Sequence, residues 1–212
     1  MKNKEINQFR VLKSGDYTQQ HWRNGKGFTR QIAIEPPDAD FGNADFLYRL
    51  SSAEIRTNGD FSLFPGYDRI LVLLAGHGIS LSMETKDFSR LLKTREVLRF
   101  SGSVATHCDL LDGPVKDFNV FYRADQMQAT ADVIAFDQER ELFWSPRRGW
   151  NFLFAVDGQC EFDTQVVFAG ETVVLGATHE AVSLASETAR SFLLKGQSAE
   201  SWLLEINLAP TS

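Results

Sequence analysis

The stretch Arg69-Ile70-Leu71-Val72-Leu73-Leu74-Ala75-Gly76-His77-Gly78-Ile79-Ser80-Leu81-Ser82-Met83 decides the fold class. Its first part is a short, unbroken aliphatic run, the composition of a strand buried on both faces. Two glycines around His77 mark a tight turn, because glycine reaches positive φ without steric cost. Ile79, Leu81 and Met83 then alternate with Ser80 and Ser82, the period of two that a half-buried strand requires. Strand, glycine turn and strand read together as a hairpin over 70–83.

The same pattern returns over 151–162, where Gly158 takes the place of the first glycine turn. Phe100-Ser101-Gly102 follows the first copy, and Phe168-Ala169-Gly170 follows the second, ahead of an apolar strand at 172–175. Two occurrences in one order point to an internal duplication, with halves at 1–125 and 126–212. Upstream, Phe46, Tyr48 and Leu50 alternate with Leu47, Arg49 and Ser51, again with a period of two. Pro36-Pro37, Asn58-Gly59-Asp60 and Pro65-Gly66 supply turns, and no stretch sustains a helical period. Short strands with this punctuation predict an all-β protein of two small barrels, closed so that no strand edge is left exposed.

Composition narrows the function. The 212 residues are enough for a substantial core, and 17 phenylalanines favour pleated, half-buried surfaces. A net charge of -6 argues against a general nucleic-acid binder, which needs a basic face. Cys108 and Cys160 form no CxxC or Cys/His cluster and read as free thiols of a reducing compartment. The opening Met1-Lys2-Asn3-Lys4-Glu5-Ile6 lacks the apolar core of a signal peptide. The aliphatic run at 70–75 is far short of the ~20 residues of a membrane span. A cytoplasmic protein without nucleic-acid or membrane partners is the expectation.

Several longer motifs resemble one family. They are Trp22-Arg23-Asn24-Gly25-Lys26-Gly27-x-Thr29, Arg49-Leu50-Ser51-x-Ala53-x-Ile55, and Gly59-x-Phe61-Ser62-x-Phe64-Pro65-Gly66-Tyr67-x-Arg69. Phe100-x-Gly102 and Asp112-Gly113-Pro114-Val115-x-Asp117-Phe118-Asn119-Val120-x-x-Arg123 complete the set. In order and spacing this is similar to the HutD/Ves family of the cupin superfamily. The resemblance implies a bicupin of two jelly-roll barrels and a link to histidine utilisation. It does not imply an activity, since such barrels host both enzymes and binders.

The chemistry-bearing residues separate binding from catalysis. A cupin metal site needs converging histidines, and His21, His77, His107 and His179 stand far apart. Phe61-Ser62-Leu63-Phe64-Pro65-Gly66-Tyr67 occupies the place where the first barrel's ligands would stand. These side chains offer little to a divalent ion, so no metal and no cofactor are expected. Arg49 and Arg69 lie on apolar strands, where a buried guanidinium needs a carboxylate. That carboxylate is either Glu54, Asp68 or Asp117, or it belongs to a ligand held bidentately. Asp117 and Asn119 share one face of a strand, pointing either into the barrel or to solvent, with Phe118 opposite. Asn24 sits in a glycine loop able to present backbone N–H groups to an anion, and Trp22 beside it either caps a pocket or joins the core.

The resulting expectation is a non-enzymatic binder of a small carboxylate-bearing metabolite. Arg49 and Arg69 take the carboxylates, and Asn24, Ser51 and Asn119 supply neutral hydrogen bonds. Phe61 and Trp22 exclude water, and Asp117 completes the set. The rival is a metal-independent isomerase or hydrolase using Asp117 or Glu54 as general base. A third reading is a protein-interaction module, with the oligomeric state left open.

Overall fold

The computed structural model describes residues 9–22, 27–84, 88–176 and 191–211. Within them the period-two segments become β1 (Arg10–Leu12), β2 (Thr18–His21), β3 (Phe28–Glu35), β4 (Tyr48–Ile55), β5 (Gly59–Asp60) and β6 (Tyr67–Ala75). There follow β7 (Ile79–Met83), β8 (Phe88–Leu92), β9 (Val97–Ser101), β10 (Thr106–Leu110), β11 (Val115–Arg123) and β12 (Met127–Phe136). The chain continues through β13 (Glu141–Trp144), β14 (Trp150–Asp157), β15 (Gln159–Phe162) and β16 (Gln165–Phe168). It ends with β17 (Thr172–Leu175), β18 (Phe192–Gly196) and β19 (Ser201–Pro210). All-β architecture is what the alternation and the turn residues dictate.

The chain divides into two units. One holds Tyr17–Met127, and the other joins the described part of Met1–Asp16 to that of Gln128–Ser212. The first strand therefore groups with the residues after Met127. β1 pairs with β17 through Arg10↔Val174, Val11↔Val173 and Leu12↔Thr172. Phe9 packs edge-on against Phe162 and Phe192 of the same unit. A free strand edge and an aromatic slot on the second unit, neither visible in the sequence, capture this segment.

Each unit is a pair of sheets around an apolar interior. In the Tyr17–Met127 unit the sheet orders are β2-β3-β4-β11-β6-β9 and β5-β10-β7-β8. In the other they are β1-β17-β14-β19-β12 and β13-β18-β15-β16. Among the described residues the strands form four sheets, none of them closed into the barrels that the sequence led us to expect. The hairpins at 70–83 and 151–162 are also corrected. β6 pairs with β9 and β11 while β7 pairs with β8 and β10, so the glycine turn carries the chain from one sheet to the facing one. The same holds for β14 and β15 around Gly158. The corner is tight: a Cβ on Gly76, at φ +106, would lie 2.7 Å from Val115 Cγ1 and 2.9 Å from the Pro114 carbonyl.

The two units repeat one topology. The order β4-β11-β6-β9 over β5-β10-β7-β8 becomes β12-β19-β14-β17 over β13-β18-β15-β16 when each strand number is raised by eight. A bulge recurs at the equivalent place, Leu74 in β6 and Val156 in β14, each two residues before a positive-φ glycine. The Phe-x-Gly pair is not part of this correspondence. Phe100 lies in β9, whose counterpart is β17, whereas Phe168 ends β16.

Interiors follow from side-chain alternation. In the Tyr17–Met127 unit, Ile55, Leu71, Leu73, Ile79, Leu81, Leu92, Cys108 and Val115 form one cluster from both sheets. Phe46, Phe64, Tyr67 and Phe121 form a second, with Ile34 beside them. In the other unit Leu153, Phe162, Phe192 and Leu203 are among the buried side chains joining both sheets. Truncating such a leucine to alanine costs about 2–5 kcal/mol.

Candidate functional site

Strand register assembles the site. Across β4, β11 and β6, Arg49 stands opposite Phe121 and Phe121 opposite Arg69. The next inward row is Ser51, Asn119 and Leu71, and the one after it Ala53, Asp117 and Leu73. Leu71, Leu73 and Ile55 are core residues between the sheets. By the period of two, Arg49, Ser51, Arg69, Asp117 and Asn119 therefore face that same interior. Asp117 and Asn119 are buried, so the inward alternative holds. Phe118 on the opposite face is buried as well.

These residues line a cavity of about 760 Å³. Of the sequence-derived set, Trp22, Arg49, Ser51, Phe61, Arg69, Asp117 and Asn119 meet there, while Asn24 lies outside the described residues. Phe41, Phe64 and Phe121 add apolar walls, and the exposed His21, Asp40 and Asp60 stand at the rim. Trp22 is half-buried and donates from Nε1 to Thr29 Oγ1 at 2.9 Å, which fixes the ring as part of the wall.

Both guanidiniums are buried, Arg49 at 2% and Arg69 at 6% exposure. Arg49 donates from Nε to Gln31 Oε1 (2.7 Å), from Nη1 to Ser51 Oγ (3.3 Å) and from Nη2 to Gln20 Oε1 (3.1 Å). Its guanidinium carbon lies 3.8 Å from the centre of the Phe41 ring. Arg69 donates from Nε to Asn119 Oδ1 at 2.7 Å and from Nη2 to the same oxygen. It stacks on Phe61, 4.1 Å from the ring centre, with Phe121 at 4.9 Å. Among the described residues, no carboxylate lies within ion-pair distance of either arginine. Glu54 is half-buried and pairs with Arg56 at 2.9 Å, and neither it nor Asp68 lines the cavity. That removes both from the counter-ion role, and Glu54 from the general-base role.

The electrostatics are those of an under-compensated cationic pocket. Burial, with the neighbouring Arg69 charge adding to it, brings the Arg49 pKa down to about 10. Burial brings Arg69 down to about 10 as well, against the opposing pull of Asp117 and Cys108. Both arginines remain protonated at neutral pH. Asp117 Oδ1 accepts the Ala53 N–H at 3.1 Å, and Asn119 neighbours it on the same strand face. Burial still pushes its carboxyl above the usual range, more than Arg69, Asn119 and Ala53 pull it down. Two fixed cations thus face one reluctant anion. Five N–H groups on each arginine exceed the acceptors the protein supplies, which leaves donors for a ligand.

Several site residues have no signal in local sequence. Gln20 and Gln31 act through Arg49 from two other strands, and Phe41 sits in a 3-10 turn (Phe41–Asn43) capped by Asp40 Oδ1. Phe121 was within reach, since it continues the alternation of Asp117 and Asn119. Arg123 pairs with Asp125 at 3.2 Å, away from the cavity. Among the described residues no group of three His, Cys, Asp or Glu side chains gathers as a metal site, and His179 lies outside them. No helix among the described residues is long and apolar enough to cross a membrane.

A family model described as HutD matches residues 14–202. The chain is 37% identical over 124 residues to an uncharacterised 21.2 kDa protein in the hutC 3′ region of Pseudomonas putida, covering 58% of this chain and 63% of that one. It is 40% identical over 113 residues to protein Ves of Escherichia fergusonii, covering 53% and 56%. The chain spans little more than half the length of these curated relatives. Among solved structures, a conserved protein of unknown function from Pseudomonas aeruginosa PAO1 superposes with a TM-score of 0.79 at 28% identity, covering 95% of this chain and 99% of that one. HutD from Pseudomonas fluorescens SBW25 gives 0.75 at 23% identity, covering 97% and 100%. The same fold extends, at 8% identity and a TM-score of 0.65, to an oxalate decarboxylase of Lactobacillus farciminis, covering 94% and 88%.

Proposed function

The chain belongs to the HutD family, and from that membership and the buried arginine pair we propose that it binds a small carboxylate-bearing metabolite without catalysis of its own. The observation that carries this reading is the pair Arg49 and Arg69. Both are buried in one cavity and lack a carboxylate within ion-pair distance among the described residues. A buried charge without a counter-ion is costly, and a ligand carboxylate in bidentate contact would supply one. Contact with the Phe41 or Phe61 ring and the hydrogen bonds to each guanidinium hold it in place, so little freedom is lost when the ligand arrives. Ser51 and Asn119 orient the arginines, and Trp22 and Phe61 keep water from the contact.

The metabolite we assign is an intermediate of histidine breakdown. A relative named for the hutC 3′ region and the fold of a solved HutD support that pathway. We also take the chain to be a cytoplasmic bicupin that arose by duplication, which the repeated strand order and repeated bulge support.

Thermal shift and calorimetry against carboxylate intermediates of histidine breakdown test the reading. Stabilisation by mass action is expected with at least one of them, and Arg49→Ala and Arg69→Ala should each lose it. No binding at millimolar concentration, or full affinity in both variants, overturns it.

One observation favours a second reading. Asp117 is enclosed in the cavity with its carboxyl pushed above the usual range, as a general base near neutral pH requires. Turnover of a bound carboxylate that vanishes in Asp117→Asn would establish that reading.

A further inference from the structure

Among the described residues, Asp117 is the only carboxylate among the buried side chains that line the cavity, and the proposed anion would share that space with it. Asn119 stands beside both: its Oδ1 accepts from the Arg69 guanidinium, and Asp117 lies two residues away on the same inward face of β11. Arg69 therefore serves two masters when a ligand is present. A carboxylate placed against Arg69 draws that positive charge away from Asp117 and adds a like charge a few ångströms off. Two carboxylates confined in one small site do not both stay ionised. We propose that anion binding in this cavity is coupled to the uptake of a proton by Asp117.

The inference rests on the binding reading above and concerns how that site is regulated. Asp117 is 1% exposed, so water cannot replace the charge compensation that a ligand removes. The groups that face it are few. Arg69 comes from β6, while Arg49 of β4 lines the same cavity two rows further out, and both are cations throughout the physiological range. Cys108 comes from β10, and burial pushes its thiol up to about 12, so it stays neutral. On the carboxyl itself, Oδ1 already takes the Ala53 N–H, and a protonated Asp117 keeps that bond while gaining a donor for the ligand. His21, Asp40 and Asp60 stand exposed at the rim, and His107 lies behind Asp60.

Glutarate is a suitable probe, because both its carboxyls are almost fully ionised between pH 6.5 and 8 and the pH dependence there then belongs to the protein. Calorimetry on the full chain in buffers of different ionisation enthalpy reads the protons exchanged. We expect up to one proton taken up per glutarate, with affinity falling by up to tenfold per pH unit, the slope of one coupled proton. Asp117→Asn keeps the shape of the side chain, and should bind glutarate with no uptake and a flat profile. His107→Gln should retain the slope. Binding without proton uptake, or a slope that survives Asp117→Asn, overturns the coupling and leaves the binding reading intact. Failure of the wild-type protein to bind glutarate at millimolar concentration and pH 6 overturns both.

Discussion

Asn119 Oδ1 accepts the Nε–H of Arg69 at 2.7 Å, and Asp117 lies two residues away on the same inward face of β11. A neutral amide thus satisfies a buried cation beside a buried anion. Asn119→Leu has nearly the same volume and strips Arg69 of this acceptor, while Asp117 keeps the Ala53 N–H. Each buried group left without a partner costs about 1–3 kcal/mol. The unfolding free energy should fall by that order, read as a lower urea midpoint with the m-value unchanged, since no surface is newly exposed in the native state.

Arg49 and Arg69 look alike in the cavity but differ in what they hold. Arg49 is bound by neutral acceptors only, so Arg49→Met removes an uncompensated buried charge and keeps its length. Stability should stay level or rise by about 1 kcal/mol, while anion binding is lost, the usual trade between stability and function. Arg69→Met leaves Asp117 without its nearest opposite charge, and should cost about 3 kcal/mol. Thermal melts of the two variants check this, and a shift of both in the same direction would contradict it.

Cys108 and Cys160 are buried, and burial pushes both thiols up to about 12. At pH 8 almost no thiolate is present, and no path leads a reagent to it. A thiol reagent should label neither in the folded protein and both promptly in denaturant. Prompt labelling of Cys108 alone would mean that the apolar cluster between its two sheets opens under native conditions.

The sequence made the parts of the site legible but not their meeting. Alternation within single strands was enough to group Asp117 with Asn119 and to set Arg49 with Ser51. Nothing local says that Arg49, Phe121 and Arg69 form one row, because that depends on register between β4, β11 and β6. The hairpin reading failed for a related reason. A glycine corner that crosses to a facing sheet has the same apolar–Gly–alternating pattern as one that turns back on its own strand. The capture of Phe9 and β1 by the second unit had no signal at all, since it depends on a free edge formed about 160 residues later.

His107 offers a measurement of the cavity rim. Its Nδ1 lies 2.5 Å from Asp60 Oδ1 and its Nε2 3.5 Å from Asp109 Oδ1. The hydrogen bond to Asp60, more than the burial that opposes it and the charge of Asp109, raises its pKa above 6.5. A raised value means that the folded state holds the proton more tightly than the unfolded one. The stabilisation is therefore fully present below pH 6.5 and disappears as pH rises through the folded value. The melting temperatures of the wild type and His107→Gln should differ on the acid side and converge above that value. An NMR titration of the imidazole should give a midpoint above 6.5, which Asp60→Asn lowers more than Asp109→Asn. The imidazole is exposed, so added salt should shrink the shift. Because Asp60 precedes Phe61, the ring that stacks on Arg69, the same titration repeated with glutarate reports whether filling the cavity is felt at its rim.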